Sequence, residues 1–296
     1  MENEIGAGIT IVGCGDIGRR VGQLLLERGC RVQVTARNEE SAAALATLGF
    51  DPVIGNFDYQ EDTPDLDVQG QQVFHFMPPQ GGGKSCYRTL NLCRRLSSQN
   101  CPSKMVYIST SGVYGDCGGD VVTEETPINP QTARAQRRAS AEQQLREKAD
   151  ELGFELVILR VTGIYGPGRL PVSRIMQGHP VLLPGEGGYT NRIHAFDLVQ
   201  VCLAAMEKGI DGELFNVCDG QQSTMTDYFT AVADLYDLPR PRQISMAEAE
   251  REMNPLMLSY LKESRRMDNS RLLKRLEVVL QYPTLQEGLK VSKEEL

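Results

Sequence analysis

The sequence predicts an α/β chain, a doubly wound parallel sheet with a smaller C-terminal lobe, and three observations carry that prediction. Short β-branched runs alternate with helix-patterned stretches over the first two thirds of the chain, as right-handed crossovers between parallel strands require. A glycine-rich turn joins the first run to an amphipathic helix. A further run returns after a Pro- and Gly-punctuated excursion, as if the sheet took one more strand.

Taken in order, the runs are Gly8 to Val12, Arg31 to Ala36, Pro52 to Phe57, Gln71 to Met77, Lys104 to Thr110 and Glu155 to Val161. Between the first two, Ile17, Val21, Leu24 and Leu25 recur at helical spacing, so Asp16 to Arg28 is expected to lay one face on the sheet, with Gly29 ending it. Ala133 to Leu152 reads as a long charged helix and Phe196 to Lys208 as another, followed by the seventh run, Leu214 to Cys218. The larger domain is expected to comprise residues 1–165 plus 191–220, and the smaller lobe 166–190 plus 221–296.

Composition narrows the function. The 296 residues are 41% hydrophobic, enough for one large core with a smaller lobe attached. A formal net charge of −8 argues against nucleic acid or an anionic membrane as partner, since both need surplus Lys and Arg, and favours small-molecule work. The eight cysteines never form a CxxC pair, resembling neither a zinc site nor a secreted disulfide framework, so reduced thiols in the cytoplasm are expected. Met1 to Cys14 has no basic cluster and no apolar run approaches the roughly 18 residues that span a bilayer, so neither export nor membrane insertion is expected. Three scattered histidines do not make a metal site: His75 falls in an apolar strand, His179 in a loop, and His194 before a helix.

The turn Gly13-Cys14-Gly15-Asp16-Ile17-Gly18 is a GxGxxG between strand and helix. The first glycine permits the tight turn, the second lets backbone approach a pyrophosphate, the third lets helix and strand pack, and the helix N-terminus offers N–H groups to the anion. In this context the motif points to a Rossmann-type domain that binds NAD or NADP. The second strand ends Thr35-Ala36-Arg37, without the acid that usually takes the ribose hydroxyls of NAD. Arg37, helped by Arg19 or Arg20, could hold the 2′-phosphate of NADP; alternatively Arg37 is solvated and Glu39 takes the ribose. A second glycine loop, Pro78-Pro79-Gln80-Gly81-Gly82-Gly83-Lys84-Ser85, ends like a P-loop, but Pro78 stands at its first glycine and two prolines have no N–H for a phosphate. It reads as a turn near the cofactor with Lys84 exposed.

Four further segments complete a pattern: Val106-Tyr107-Ile108-Ser109-Thr110-Ser111-Gly112-Val113-Tyr114-Gly115, Leu159-Arg160 through Ile164-Tyr165-Gly166-Pro167-Gly168, Asn191-Arg192-Ile193-His194-Ala195-Phe196-Asp197-Leu198, and Phe215-Asn216-Val217. With the glycine turn they make the chain resemble the extended short-chain dehydrogenase/reductases, the NAD-dependent epimerase/dehydratase family, over nearly its whole length. The resemblance implies that Thr110 orients a reacting carbonyl, as a hydroxyl that can donate and accept beyond the carboxyl end of a strand.

The resemblance also implies a Tyr and a Lys four residues apart as the acid, and here the chain departs from the pattern: none of its ten tyrosines has Lys at the fourth place after it. Counting back from Glu142 puts Arg134 and Arg138 at those two positions, and a guanidinium can bind an anion but cannot shuttle a proton. Arg134, Arg137 and Arg138 could form an anion pocket or a solvated face, and Tyr114 and Tyr165 are the replacement acids the resemblance offers. Thr190 stands where nucleotide-sugar members often carry a diphosphate-binding Arg, with Arg192 displaced by two, which turns the expectation from a sugar nucleotide toward another anionic small molecule. The pattern looks like the atypical branch of the family. It leaves two readings, an NAD(P)-dependent oxidoreductase, epimerase or dehydratase and a catalytically inactive NAD(P)-bound sensor or scaffold, with a homodimer through the 133–152 helix as the family habit.

Overall fold

The computed structural model describes residues 8–294, so the reading of the first seven residues and the lobe limits at 1 and 296 lie outside the described residues. The sheet strands and the helices between them are β1 (Ile9–Val12), α1 (Asp16–Glu27), β2 (Val32–Ala36), α2 (Glu39–Ala46), β3 (Asp51–Ile54), β4 (Gln72–His75), α3 (Tyr87–Arg95), β5 (Lys104–Thr110), α4 (Ala133–Leu152), β6 (Glu155–Val161), α5 (Ala195–Lys208) and β7 (Leu214–Val217). All seven expected strands are present, the third and fourth ending two or three residues earlier than their apolar runs. Gly29 has φ +82°, the left-handed turn that ends α1. Helix α2 escaped the periodicity because its eight residues are mostly Ala and Glu; Asn38 caps it in a reciprocal box with Ser41.

The strand order is β7-β6-β5-β4-β1-β2-β3, and the pairs from β3 to β5 run parallel. The chain winds outward from β1 to β3, then crosses to β4 on the other side of β1. That reversal opens a crevice beyond the carboxyl ends of β1 and β4. Adjacent residues of β1 face opposite ways: Val12 joins a core with Leu92 and Cys93 of α3 and Ala141, Leu145 and Ala149 of α4, whereas Ile11 faces Gly18 and Gly22 of α1. Helices therefore cover both faces, and the inner strands are largely apolar and buried, as parallel sheets demand.

A buried ion pair ties the sheet to α4. Glu142 accepts from Arg160 of β6 at 3.1 and 2.8 Å, from Ser109 of β5 at 2.5 Å and from Arg146 at 3.3 Å. The outward positions of α4, Gln143, Arg146, Glu147 and Asp150, are all polar.

The chain divides into two compact units. One holds the described residues up to Val113, Ala133–Arg160 and Val199–Phe215; the other holds Tyr114–Thr132, Val161–Leu198 and the residues from Asn216 onward. The segments 114–132, 161–165, 191–198 and 216–220 thus cluster with the second unit, where the sequence reading grouped them with the first. The second unit has its own core around Tyr165, Val181, Tyr228, Phe229, Val232 and Leu289, and short strand pairs such as Val181–Leu182 with Gln243–Ile244. All eight cysteines are free thiols. Among the described residues no group of His, Cys, Asp and Glu could hold a metal ion, and no helix is long and apolar enough to cross a membrane.

Candidate functional site

Each glycine of the turn has a distinct surrounding. Gly13 has φ +92°, and a Cβ there would stand 2.4 Å from the Met77 nitrogen, so the turn closes against the end of β4. Its N–H donates to Thr35 Oγ1 at 2.9 Å, fixing the turn to β2. A Cβ on Gly18 would lie 3.0 Å from the Gly13 carbonyl and 3.2 Å from Ile11 Cγ2, the tight packing of helix on strand. Gly15 differs: a Cβ there would meet nothing within 4 Å. It is the N-cap of α1 and supplies no side-chain cap. Space in front of an uncapped helix N-terminus suits a phosphate and needs no side chain.

The rest of the motif supports this turn. Ile17 and Gly18 are buried under it, and Asp16 pairs with Arg20 at 2.9 Å. Burial pushes the Cys14 thiol up to about 12, so it stays uncharged.

From the turn a cleft of about 220 Å³ runs along the strand ends, lined by Gly13, Cys14, Gly15, Thr35, Ala36, Arg37, Gly55, Asn56, Phe57, Phe76, Met77, Pro78 and Arg88. Gly13, Cys14, Gly15 and Arg37 of the sequence reading thus meet in one place. Arg37 is largely exposed and lies 3.8 Å from Asp58. Glu39 is exposed in the first turn of α2. Thr35, Asn56, Phe57 and Arg88 were not assigned to the site, because residue type and position along the chain carry no sign of which distant segments will share a cleft. The proline–glycine loop adds Pro78 to the wall, while Lys84 is exposed and Arg137 donates to the Gly82 and Gly83 carbonyls at 3.2 and 2.8 Å.

At the end of β5, Thr110 Oγ1 accepts the Gly112 N–H at 3.3 Å. A Cβ on Gly112 would stand 3.7 Å from that oxygen and 3.9 Å from Ala135 Cβ, so this strand end meets the first turn of α4, which also carries Arg134. Arg138, one turn on, donates to the Ile108 carbonyl at 2.8 Å and to Tyr107 Oη at 3.1 Å. Its Nη1 thereby holds α4 to β5.

Within the second unit Tyr114 is buried and donates its hydroxyl to Asn216 Oδ1 at 2.8 Å, while the Asn216 amide donates to the Val122 carbonyl. Tyr165 donates to the Thr284 carbonyl at 3.3 Å, and burial raises its pKa beyond that of an ordinary phenol. His194 is buried among Tyr165, Phe196 and Tyr282, and its Nδ1 accepts the Phe196 N–H. Arg192 lies over the Tyr228 ring at 4.3 Å and donates to Ser223 Oγ and the Thr224 carbonyl. In the first unit His75 pairs with Thr89 Oγ1 at 3.0 Å inside the core.

A parallel sheet with a strand-order reversal and a glycine turn at that reversal defines a dinucleotide-fold α/β protein. The chain belongs to the NAD dependent epimerase/dehydratase family, whose model matches residues 9–218. Human dTDP-D-glucose 4,6-dehydratase is 30% identical over 122 residues, 38% of this chain and 35% of the human enzyme. The match thus spans about a third of the length of that curated relative. Among solved structures, a conserved protein of unknown function from Silicibacter pomeroyi superposes with a TM-score of 0.81 at 29% identity, covering 98% of this chain and 99% of the other. The UDP-glucuronic acid 4-epimerase of Bacillus cereus, solved in complex with NAD, has the same fold: TM-score 0.76, 19% identity, 97% and 96% coverage.

Proposed function

We propose that this protein binds NADP in the cleft and acts as an NAD(P)-dependent reductase, epimerase or dehydratase on a small molecule bearing an anionic group. The observation that carries the reading is the open space at Gly15 before the uncapped N-terminus of α1, at the reversal of strand order. Gly13, Cys14 and Gly15 would hold the pyrophosphate, Asn56 and Phe57 would flank the adenosine, and Arg37 would take the 2′-phosphate. A bound nicotinamide supplies a hydride donor or acceptor.

In this reading Thr110 orients the substrate oxygen, Arg134 attracts its anionic group, and Arg138 keeps the β5 end in register with α4. The Tyr114 proton is committed to Asn216, which favours water as proton source. The human relative acts, by its name, on a sugar nucleotide; the Thr at 190 and the structural engagement of Arg192 favour a substrate without a nucleotide diphosphate.

Calorimetric titration with NADPH, NADP, NADH and NAD tests this on wild type, Gly15→Ala and Arg37→Ala. Micromolar binding of an NADP form is expected, weakened at least about tenfold by either substitution, with the melting temperature of Gly15→Ala unchanged. No binding by any of the four dinucleotides overturns the reading.

A further inference from the structure

Two guanidinium groups that line the cleft, those of Arg37 and Arg88, attend one carboxylate. Arg88 grips Asp58 through parallel bonds, Nε to Oδ1 at 2.6 Å and Nη2 to Oδ2 at 3.0 Å, and gives its remaining nitrogen, Nη1, to the Pro78 carbonyl at 3.0 Å. It therefore ties the segment after β3 to the turn after β4, and Gly55, Asn56, Phe57 and Pro78 from those two segments line the cleft. Arg37 comes only to 3.8 Å of the same carboxylate, without a hydrogen bond. The two arginines differ in freedom: the Arg88 side chain is 12% exposed and Arg37 63%.

A carboxylate beside a dinucleotide cleft would accept ribose hydroxyls and repel a 2′-phosphate. Here a bidentate partner takes one lone pair on each oxygen and cancels the charge, so the cluster's one net positive charge resides on the exposed Arg37. The hydrogen bond from Arg88 also holds the Asp58 carboxyl below the usual carboxylate range, which keeps the pair ionised at neutral pH.

Resting on the cofactor reading above, we propose that Arg88 decides between the two dinucleotides: by sequestering Asp58 it withholds the carboxylate from the ribose and leaves Arg37 for a 2′-phosphate. Arg88 is then a positioning residue for specificity, acting through Asp58.

The test is the ratio of NADH to NADPH dissociation constants, measured on wild type, Arg37→Ala, Arg88→Met, Asp58→Asn and the double variant of the last two. Arg88→Met should lower the ratio about tenfold or more, with NADH binding gaining, because a carboxylate released by Arg88 can turn toward the ribose. Asp58→Asn, nearly isosteric, should raise the ratio several-fold by releasing Arg88 as a second cation, and it carries the test alone if Arg88→Met does not fold. The double variant should regain the preference that Arg88→Met lost, since no carboxylate remains to be released. A purely structural Arg88 would weaken both dinucleotides equally; an unchanged ratio in Arg88→Met or Asp58→Asn, or no recovery in the double variant, overturns the proposal. Failure of the underlying reading shows separately, as wild type binding neither dinucleotide or as an Arg37→Ala ratio equal to that of wild type.

Discussion

Replacing Arg160 by Met isolates the Glu142 carboxylate that joins α4 to the sheet. Both side chains are almost wholly buried, at 1% exposure for Glu142 and 6% for Arg160, and Arg160 supplies two of the four hydrogen bonds the carboxylate receives. Removing one partner of a buried pair costs about 3–5 kcal/mol, because the remaining charge stays desolvated. Ser109 remains as a donor, and the half-exposed Arg146 offsets at most about 1 kcal/mol. The expected loss is therefore near the lower bound, about 3 kcal/mol, or roughly 6–12 °C in melting temperature for a unit of this size. Replacing both residues, Glu142→Leu with Arg160→Met, removes the stranded charge and should recover most of the loss. Urea titration followed by far-ultraviolet circular dichroism, run as a double-mutant cycle, measures the coupling. A cost below about 1 kcal/mol for Arg160→Met, or strict additivity in the cycle, would refute the reasoning, since either means the carboxylate finds solvent when its partner leaves.

Three further outcomes are expected. Gly13→Ala should destabilise the first unit by several kcal/mol, because its φ is positive and the new methyl meets the Met77 backbone at 2.4 Å, whereas Gly15→Ala should leave thermal stability unchanged; equal melting temperatures for the two would contradict the division of roles. Burial and the Arg138 charge push the His75 pKa down from 6.5 to about 3. The unfolded chain binds a proton below about pH 6.5 that the folded chain refuses until about pH 3. Stability from this residue is therefore complete above pH 6.5 and falls by about 1.4 kcal/mol per pH unit below it; denaturation at pH 7, 5 and 4 should show His75→Gln losing that slope. Gly288→Ala should cost about 1–3 kcal/mol in the second unit, since its methyl would lie 2.2 Å from the Tyr165 hydroxyl, and a melting curve matching wild type would show that the phenol can move aside.

The sequence alone specified whatever depends on neighbours along the chain. Strand–glycine turn–helix fixes its own geometry, so Gly13, Gly15 and Gly18 could be assigned different duties from spacing; the tight turn at Gly13 and the close packing at Gly18 are present, and Gly15 has open space beside it. The apolar runs located all seven strands, because strands that lie between two layers of helices are largely apolar. The family resemblance was legible for the same reason, being carried by contiguous segments.

What only the tertiary structure decided is which distant side chains share a space. Nothing in the sequence links Arg88 to Asp58, thirty residues apart, or Tyr114 to Asn216, yet these contacts pair a cleft-lining guanidinium with a carboxylate and give the phenol hydroxyl an acceptor. Arg134, Arg137 and Arg138 read alike as one basic run; folding spends Arg137 on the glycine loop and Arg138 on β5, because a helix turns each residue about 100° from the last and presents each to a different neighbour. Local pattern selects the scaffold, whereas the allocation of polar atoms inside it follows from the crossing of strands and helices.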